Sequence, residues 1–405
     1  MKRVMLLGGN YFQITATKAV KRLGHYAINV DYLPNNPAHQ YADEYHNVST
    51  TDKEAVLELA KKLNIDGIVS YVSDVSAPTA AYVAEKLGLP TNPYQSVELL
   101  TRKDSVRPFM EKHGFLVPKG KSFRSYDEAF SFFKEIKKPA MVKPVDASGS
   151  KGVTKVFEDA QFKDAYEEAL KYSRAKVVIV EEFLIRDGYQ IAGDGFLWNG
   201  KLVFAGLMNE HFEKLCNGLV PIGESYPSIL PEHLKVKAKK EIERMMQLLG
   251  MKSGAINLDF MVDKDENVYI LEIGPRNGGN LITDVIKYSS GVDLAEYTIK
   301  AAIGEDCGDL QEKPIQTLAS SYIIHSIEDG IFDHLSISDK IKNDIVLSDL
   351  FVKQGESVHR FDNGGFGIGA MIIKHNSMDE MLDRMDNMEK YIKVNVKPKS
   401  NTGGY

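Results

Sequence analysis

Only two cysteines, Cys216 and Cys307, occur in 405 residues. Two thiols cannot build a disulfide framework or a cysteine metal site, and both are read as reduced thiols of a cytoplasmic protein. No run of eighteen apolar residues is present, so no segment reads as a membrane-spanning helix. There is no basic tract and no interleaving of aromatic and basic residues, which argues against a nucleic-acid partner. The formal net charge is −6, with both signs mixed along the chain. Internal repeats and long low-complexity segments are missing as well. The first turn, "GGNYFQITA", lacks the G-x-G-x-x-G of a dinucleotide fold, and the glycine-rich loop at 146–152 is not a P-loop.

What is present is the composition of a soluble globular protein, 43% hydrophobic and 26% charged. The length implies two or three packed units. "MKRVMLLGGN" has only "VMLL" as its apolar run and reads as a first strand rather than a signal peptide. Residues 1–95 alternate short apolar runs with helical patterns, which implies parallel strands with helices on both faces. "PTNPYQS" at 90–96 marks a turn or linker, and "SVELLTRKDSVRPFMEKHG" then reads as helical. Strands "VPKGKSF" and "PAMVKPV" enclose the helix "SYDEAFSFFKEI". After the glycine-rich loop come the helix "DAQFKDAYEEALKYS" and the strand "KVVIVEEFL". Asn199-Gly200 is a hairpin signal between apolar runs, and "KDEN" is a polar hairpin joining "SGAINLDFMVD" to "NVYILEIGPRNGG". From about 305 a further unit begins, ending in the helix "SMDEMLDRMDNMEKYI" and a tail, "KPKSNTGGY", expected to lack fixed structure.

Three clusters of residues suggest chemistry. Lys143 closes a β-branched strand and is followed by a loop in which Ser148, Gly149, Ser150 and Gly152 free the backbone to turn its N–H groups toward an anion. Lys151 within the loop can close over a phosphate, although a bare mobile hairpin has the same composition. The buried strand "VVIVEEFL" turns acidic at Glu181 and Glu182; its end can pair with a purine edge while Phe183 and Leu184 pack on the ring faces. A solvated strand end has the same sequence. If the "KDEN" hairpin forms, Asp259 and Glu272 stand opposite each other, an arrangement that repels unless a cation lies between them. Oxygen ligands of this kind suit Mg²⁺ with phosphate oxygens and water. Arg276, Asn277 and Asn280 follow closely, and an arginine there can stabilise charge in phosphoryl transfer.

Order and spacing of these pieces resemble the ATP-grasp superfamily. "LLTRKDSVRPFMEKHGFLVP" is similar to its entry helix, "VKPVDASGSKGV" to its strand lysine and phosphate-covering loop, and "VEEFL" to its adenine hinge. "INLDF" and "LEIGPRNGG" are similar to its metal-binding strands and catalytic arginine segment. The resemblance implies an α/β chain of three units: an N-terminal parallel-sheet domain at 1–95, an ATP-grasp domain at 96–304 with a lid at about 115–180, and a C-terminal α+β unit at 305–405.

It further implies ATP and one or two Mg²⁺ ions, with Mn²⁺ as an alternative. ATP would be bound by Lys103, Lys143, Ser148, Gly149, Ser150, Gly152, Glu181, Glu182, Phe183, Leu184 and Gln190. The metal would be held by Asp259 and Glu272, with Asn277 in place of the Asn that many members carry where this chain has Gly274. Arg276 and Lys151 would act in catalysis, and His211 either touches substrate or lies on the polar surface. The reaction implied is ATP-dependent joining of a small carboxylate to an amine; a carboxylase activating bicarbonate and a nucleotide-binding regulator are the alternatives. Many relatives are homodimers, and nothing in the composition decides that point here.

Overall fold

The computed structural model describes residues 1–398. Its N-terminal strands, Arg3–Leu7, Tyr26–Val30, Glu44–His46 and Gly67–Ser70, form one parallel sheet in the order 44–46, 26–30, 3–7, 67–70. Successive side chains of a strand point to opposite faces, so both faces need cover. Met5, Leu7, Ile28 and Val30 pack with Val56, Ala60, Val83 and Ala84 of the helices Lys53–Leu63 and Ala77–Leu87. Val4, Leu6 and Ala27 pack on the other side with Ala16, Ala19 and Val20 of Ile14–Arg22, and with Ala295 and Ile299 of Leu294–Ala302. The loop Tyr71–Ser76 leaves the C-terminal edge of this sheet, where parallel α/β sheets bind ligands.

Contacts gather the chain into two compact units that interleave in sequence. One holds 1–119, 184–207 and 229–314; the other holds 120–183, 208–228 and the chain from 315 onward. This is a different partition from three consecutive segments. The chain leaves the second unit for the first between Phe183 and Leu184.

Beyond the parallel sheet, the first unit contains the antiparallel strands Gln190–Trp198, Gly254–Val262 and Val268–Gly274, with the opening half of Lys201–Phe212. Asn199 and Gly200 take φ of 50° and 77°, the left-handed pair that the hairpin signal demands. Helices Tyr94–Leu100, Lys103–Lys112 and Glu232–Leu248 cover the strands through Leu100, Met110, Met245, Met246, Phe260 and Ile273. The helical reading from Ser96 onward is broken in two. Arg102 is extended, with φ −131° and ψ 115°, and its guanidinium reaches Asp104 at 3.1 and 2.6 Å. Lys103 therefore begins a helix instead of lying inside one.

A buried carboxylate fixes the turn after the last of these strands. Asp194 is fully buried and accepts from the backbone N–H of Gly278 at 2.8 and 3.0 Å. It also accepts from the amides of Asn257 at 3.1 Å and Asn277 at 3.2 Å. Burial outweighs these donors and pushes its pKa up to about 6.

In the second unit, strands Gly120–Phe123, Val178–Glu182, Ala140–Pro144 and Thr154–Val156 pair antiparallel in that order. Helices Tyr126–Glu135 and Asp159–Tyr172 bury Phe133, Phe162 and Tyr166 against Val142 and Val180. The rest of this unit contains the end of Lys201–Phe212 with Pro221–Tyr226, Leu318–Ile324, Gly369–His375 and Ile345–Leu350 in one sheet. A three-stranded sheet joins Gly330–Ile337 to Ser357–Val358 and Ile392–Lys397. Of the tail expected to lack fixed structure, Lys397 ends the last strand, and 399–405 lie outside the described residues. No helix among the described residues is long and apolar enough to cross a membrane.

Two outcomes are expected. Phe133, fully buried with its ring 4.6 Å from that of Phe162, anchors the small antiparallel unit. Phe133→Ala should lower the unfolding free energy by about 3–5 kcal/mol in urea denaturation. Asp194 has a folded pKa above its unfolded one, so its contribution to stability is complete below about pH 4 and is lost as pH rises through about 6. Unfolding curves at pH 4.0 to 7.5, scanned in steps of about half a unit, should contain a downward slope that Asp194→Asn removes, whatever its effect on absolute stability.

Candidate active site

The antiparallel pair Gly254–Val262 and Val268–Gly274 brings Asp259 and Glu272 directly opposite each other, with a register irregularity just after Asp259. Both are half-buried. Each carboxylate has a donor. Lys103 Nζ lies 3.0 Å from Glu272 Oε2, and Gln190 Nε2 donates to Asp259 Oδ1 at 2.7 Å. Burial opposes the charge on Lys103, but the adjacent Glu272 outweighs it and holds the ammonium above its ordinary pKa. The helix break at Arg102 is what delivers this lysine to the first turn of its helix, where the backbone dipole also favours anions.

The donor set fits Mg²⁺. Among the described residues no three His, Cys, Asp or Glu side chains cluster as a metal cage. Two carboxylates alone suit an ion that keeps water and takes phosphate oxygens for its remaining positions.

Arg276 follows on the turn beyond Glu272. Its Nε donates to Asp74 Oδ1 at 2.8 Å and its Nη2 to Asp74 Oδ2 at 2.5 Å, while Nη1 donates to the carbonyl of Asn277 at 3.1 Å. Burial disfavours its charge, yet Asp74 and Glu272 more than compensate, and its pKa is raised. Asn277 is fully buried; its amide nitrogen donates to Asp194, and its oxygen accepts from Thr298 Oγ1 at 2.8 Å. Both ends of the expected metal-ligand amide are thus engaged in the core.

The second unit brings together most of the remaining expected residues. Lys143 Nζ lies 3.1 Å from Glu181 Oε2, and Glu181 is 1% exposed. Register places Met141 opposite Glu181, so Lys143 reaches it from two residues along the same strand face. Glu181 is therefore a buried ion-pair partner rather than a solvated strand end. Glu182 and Phe183 are half-buried, and Lys155 Nζ sits 3.5 Å from the centre of the Phe183 ring. Leu184 is also half-buried but belongs to the first unit.

In the glycine loop, Gly149, Ser150 and Gly152 take φ of 67°, 57° and 68°. A non-glycine residue in that region carries strain. Asp146 anchors the start of the loop by accepting from Ala175 N at 2.8 Å and Ser173 Oγ at 3.1 Å. Ser150 Oγ donates to Leu219 O at 2.9 Å, and Gly364 N donates to Gly149 O at 2.9 Å. Ser148 and Lys151 are half-buried. His211 is not a surface residue. It is 2% exposed, with Nδ1 2.8 Å from Asp386 Oδ1 and Nε2 2.9 Å from Ser225 Oγ.

Sequence reasoning missed three partners. The role of Gln190 as donor to Asp259 carries no local signal, and neither does Lys103 resting on Glu272. Asp74 lies in "SYVSDVS", a loop of ordinary composition, 202 positions from its arginine.

Residues 136–284 match the family model described as an ATP-grasp domain. The C-terminal section of the carbamoyl phosphate synthase large chain of Aquifex aeolicus (strain VF5) is 25% identical over 342 residues, covering 78% of this chain. This chain spans 61% of that protein's length. Phosphoribosylglycinamide synthetase from Anaerococcus prevotii shares the fold with a TM-score of 0.75 at 22% identity, covering 98% of this chain and 100% of that one. L-amino acid ligase from Bacillus licheniformis does so with a TM-score of 0.79 at 19% identity, over 98% and 99% of the two chains. Residues 136–284, which hold the carboxylate pair and the glycine loop, thus match an ATP-grasp domain, and the fold of these two enzymes is shared along almost the whole chain.

Proposed function

We propose that this chain is an ADP-forming ligase that phosphorylates a small carboxylate and joins it to an amine. The observation that carries the reading is the in-register pair Asp259–Glu272, steadied by Gln190 and Lys103, with Arg276 four residues further on. In this proposal Lys103, Lys143 and the loop from Ser148 to Gly152 hold the triphosphate, with Lys151 closing over its end. Glu182, Phe183 and Leu184 receive the adenine, and the buried Glu181 is given the task of holding Lys143 instead. Asp259 and Glu272 hold Mg²⁺, which when bound neutralises phosphate charge. Asn277 is given no ligand role because its amide is engaged by Asp194 and Thr298. His211 is given no substrate contact, since both its ring nitrogens are engaged.

The chemistry needs little more than positioning and charge compensation. A substrate carboxylate oxygen attacks the γ-phosphorus, the bond to the β–γ bridging oxygen breaks, and ADP leaves. The amine nitrogen then attacks the acyl carbon. Arg276 donates to the oxyanion of the tetrahedral species; phosphate departs and the nitrogen gives up a proton to water.

ADP release in pooled carboxylic acids and amines tests the reading. ADP and phosphate should form only when both pools are present. ADP that depends on bicarbonate alone would convert the assignment to a carboxylase, and no ADP in any mixture would convert it to a nucleotide-binding regulator. Glu272→Gln and Asp259→Asn should each remove ADP formation by about a hundredfold or more, and Arg276→Ala should cost ~3 kcal/mol of transition-state stabilisation, roughly a hundredfold in kcat. Full turnover in Arg276→Ala would remove that residue from the chemistry.

A further inference from the structure

We infer that Asp74 is a positioning residue that fixes the guanidinium of Arg276 in its working orientation, and that Gly274 is glycine to leave room for this clamp. The inference rests on the ligase reading for the task of Arg276, but the clamp itself rests on geometry within the first unit.

Arginine has five N–H donors in a rigid fork. The Nε–Nη2 edge is taken by Asp74 in a two-point bond of 2.8 and 2.5 Å, and one Nη1 hydrogen goes to the carbonyl of Asn277. Two N–H groups remain for an incoming oxyanion, one on each terminal nitrogen. The pair is well shielded, with side-chain exposures of 11% for Arg276 and 12% for Asp74. Glu272 also attracts Arg276. The direct hydrogen bonds of Arg276 go to Asp74 and Asn277, while Lys103 is ion-paired with Glu272.

Asp74 is itself held rigidly. Ser70 Oγ lies 2.6 Å from the carbonyl of Ser73 and 2.7 Å from Ser76 Oγ, and Gln13 Nε2 donates to Tyr71 O at 2.7 Å. Val72 has φ of 58°, a left-handed conformation that a β-branched residue rarely adopts. On the arginine's own turn, Asn280 and Leu281 have φ of 51° and 64°. Each such residue costs about 1–3 kcal/mol, and strain of this kind gathers where a fold must aim a functional group. The two loops that meet at the clamp both contain it.

Gly274 gives an independent sign. A Cβ there would lie 2.9 Å from Asp74 Oδ1, 3.0 Å from Arg276 Cζ and 3.2 Å from Arg276 Nε. Any side chain at 274 therefore displaces the clamp. The position at which many ATP-grasp members carry a metal-ligating Asn is here given over to the Asp74–Arg276 pair.

The test combines a structural and a kinetic readout on the full chain. In protein labelled with ¹⁵N-arginine, the Nε–H resonance of Arg276, assigned by its loss in Arg276→Lys, should exchange slowly with solvent. Asp74→Asn and Gly274→Ala should each speed that exchange by about tenfold or more. Both should lower the kcat for ADP formation by about thirtyfold while the KM for ATP stays within about twofold. A merely structural role would lower thermal stability and leave kcat per folded molecule unchanged. Slow exchange persisting in Asp74→Asn, or an unchanged kcat in both variants, overturns the inference. If Asp74→Asn does not fold, Gly274→Ala decides. If the wild type releases no ADP with any acid–amine pool, the ligase reading falls, and the exchange rates alone decide whether Asp74 holds Arg276.

Discussion

Two carboxylates facing each other across an antiparallel ladder repel, and much of the first unit is arranged around that repulsion. Asp259 and Glu272 owe their juxtaposition to hairpin register rather than to any mutual attraction. The surroundings answer with donors from two other elements, Lys103 from the start of a helix and Gln190 from the neighbouring strand, and with the charge of Arg276 on the turn beyond. Lys103 and Arg276 are held above their ordinary pKa, so both remain charged across any physiological pH. A site built this way is ready for a divalent cation and a polyphosphate, since the charges they bring complete a balance already half made.

The same logic runs through the second unit in a different form. Lys143 is paired with a carboxylate that is almost wholly buried, which fixes the ammonium at the strand end instead of leaving it to sample solvent. The glycine loop is pinned at its start by Asp146 and touched in its middle by Gly364, yet it holds three left-handed residues whose N–H groups can turn outward. The glycine-rich stretch "RFDNGGFG" at 360–367 is a neighbour of this loop through that one backbone bond.

Much of the fold was legible because hydrophobic period and turn chemistry are local properties. The parallel sheet follows from strand–helix alternation, and the opposition of 259 and 272 follows from a connection too short to permit another register. The helix break at Arg102 was not legible, because neither glycine nor proline stands between Ser96 and Lys103 and the interruption comes from an extended Arg102. Burial of Glu181 was hidden for a related reason: an acidic strand end looks solvated until its lysine is placed beside it. Asp74 could not be read at all. Its meaning comes entirely from an arginine 202 positions away.

The central claim is that Asp259 and Glu272 share one divalent ion that clamps the phosphates. Mn²⁺ can report on it directly through its paramagnetic resonance. With ADP present, the wild-type chain should bind Mn²⁺ in an anisotropic, protein-bound signal, and both Asp259→Asn and Glu272→Gln should weaken that binding by about tenfold or more while the thermal unfolding midpoint stays unchanged. Mn²⁺ binding that survives both substitutions at wild-type affinity would contradict the account.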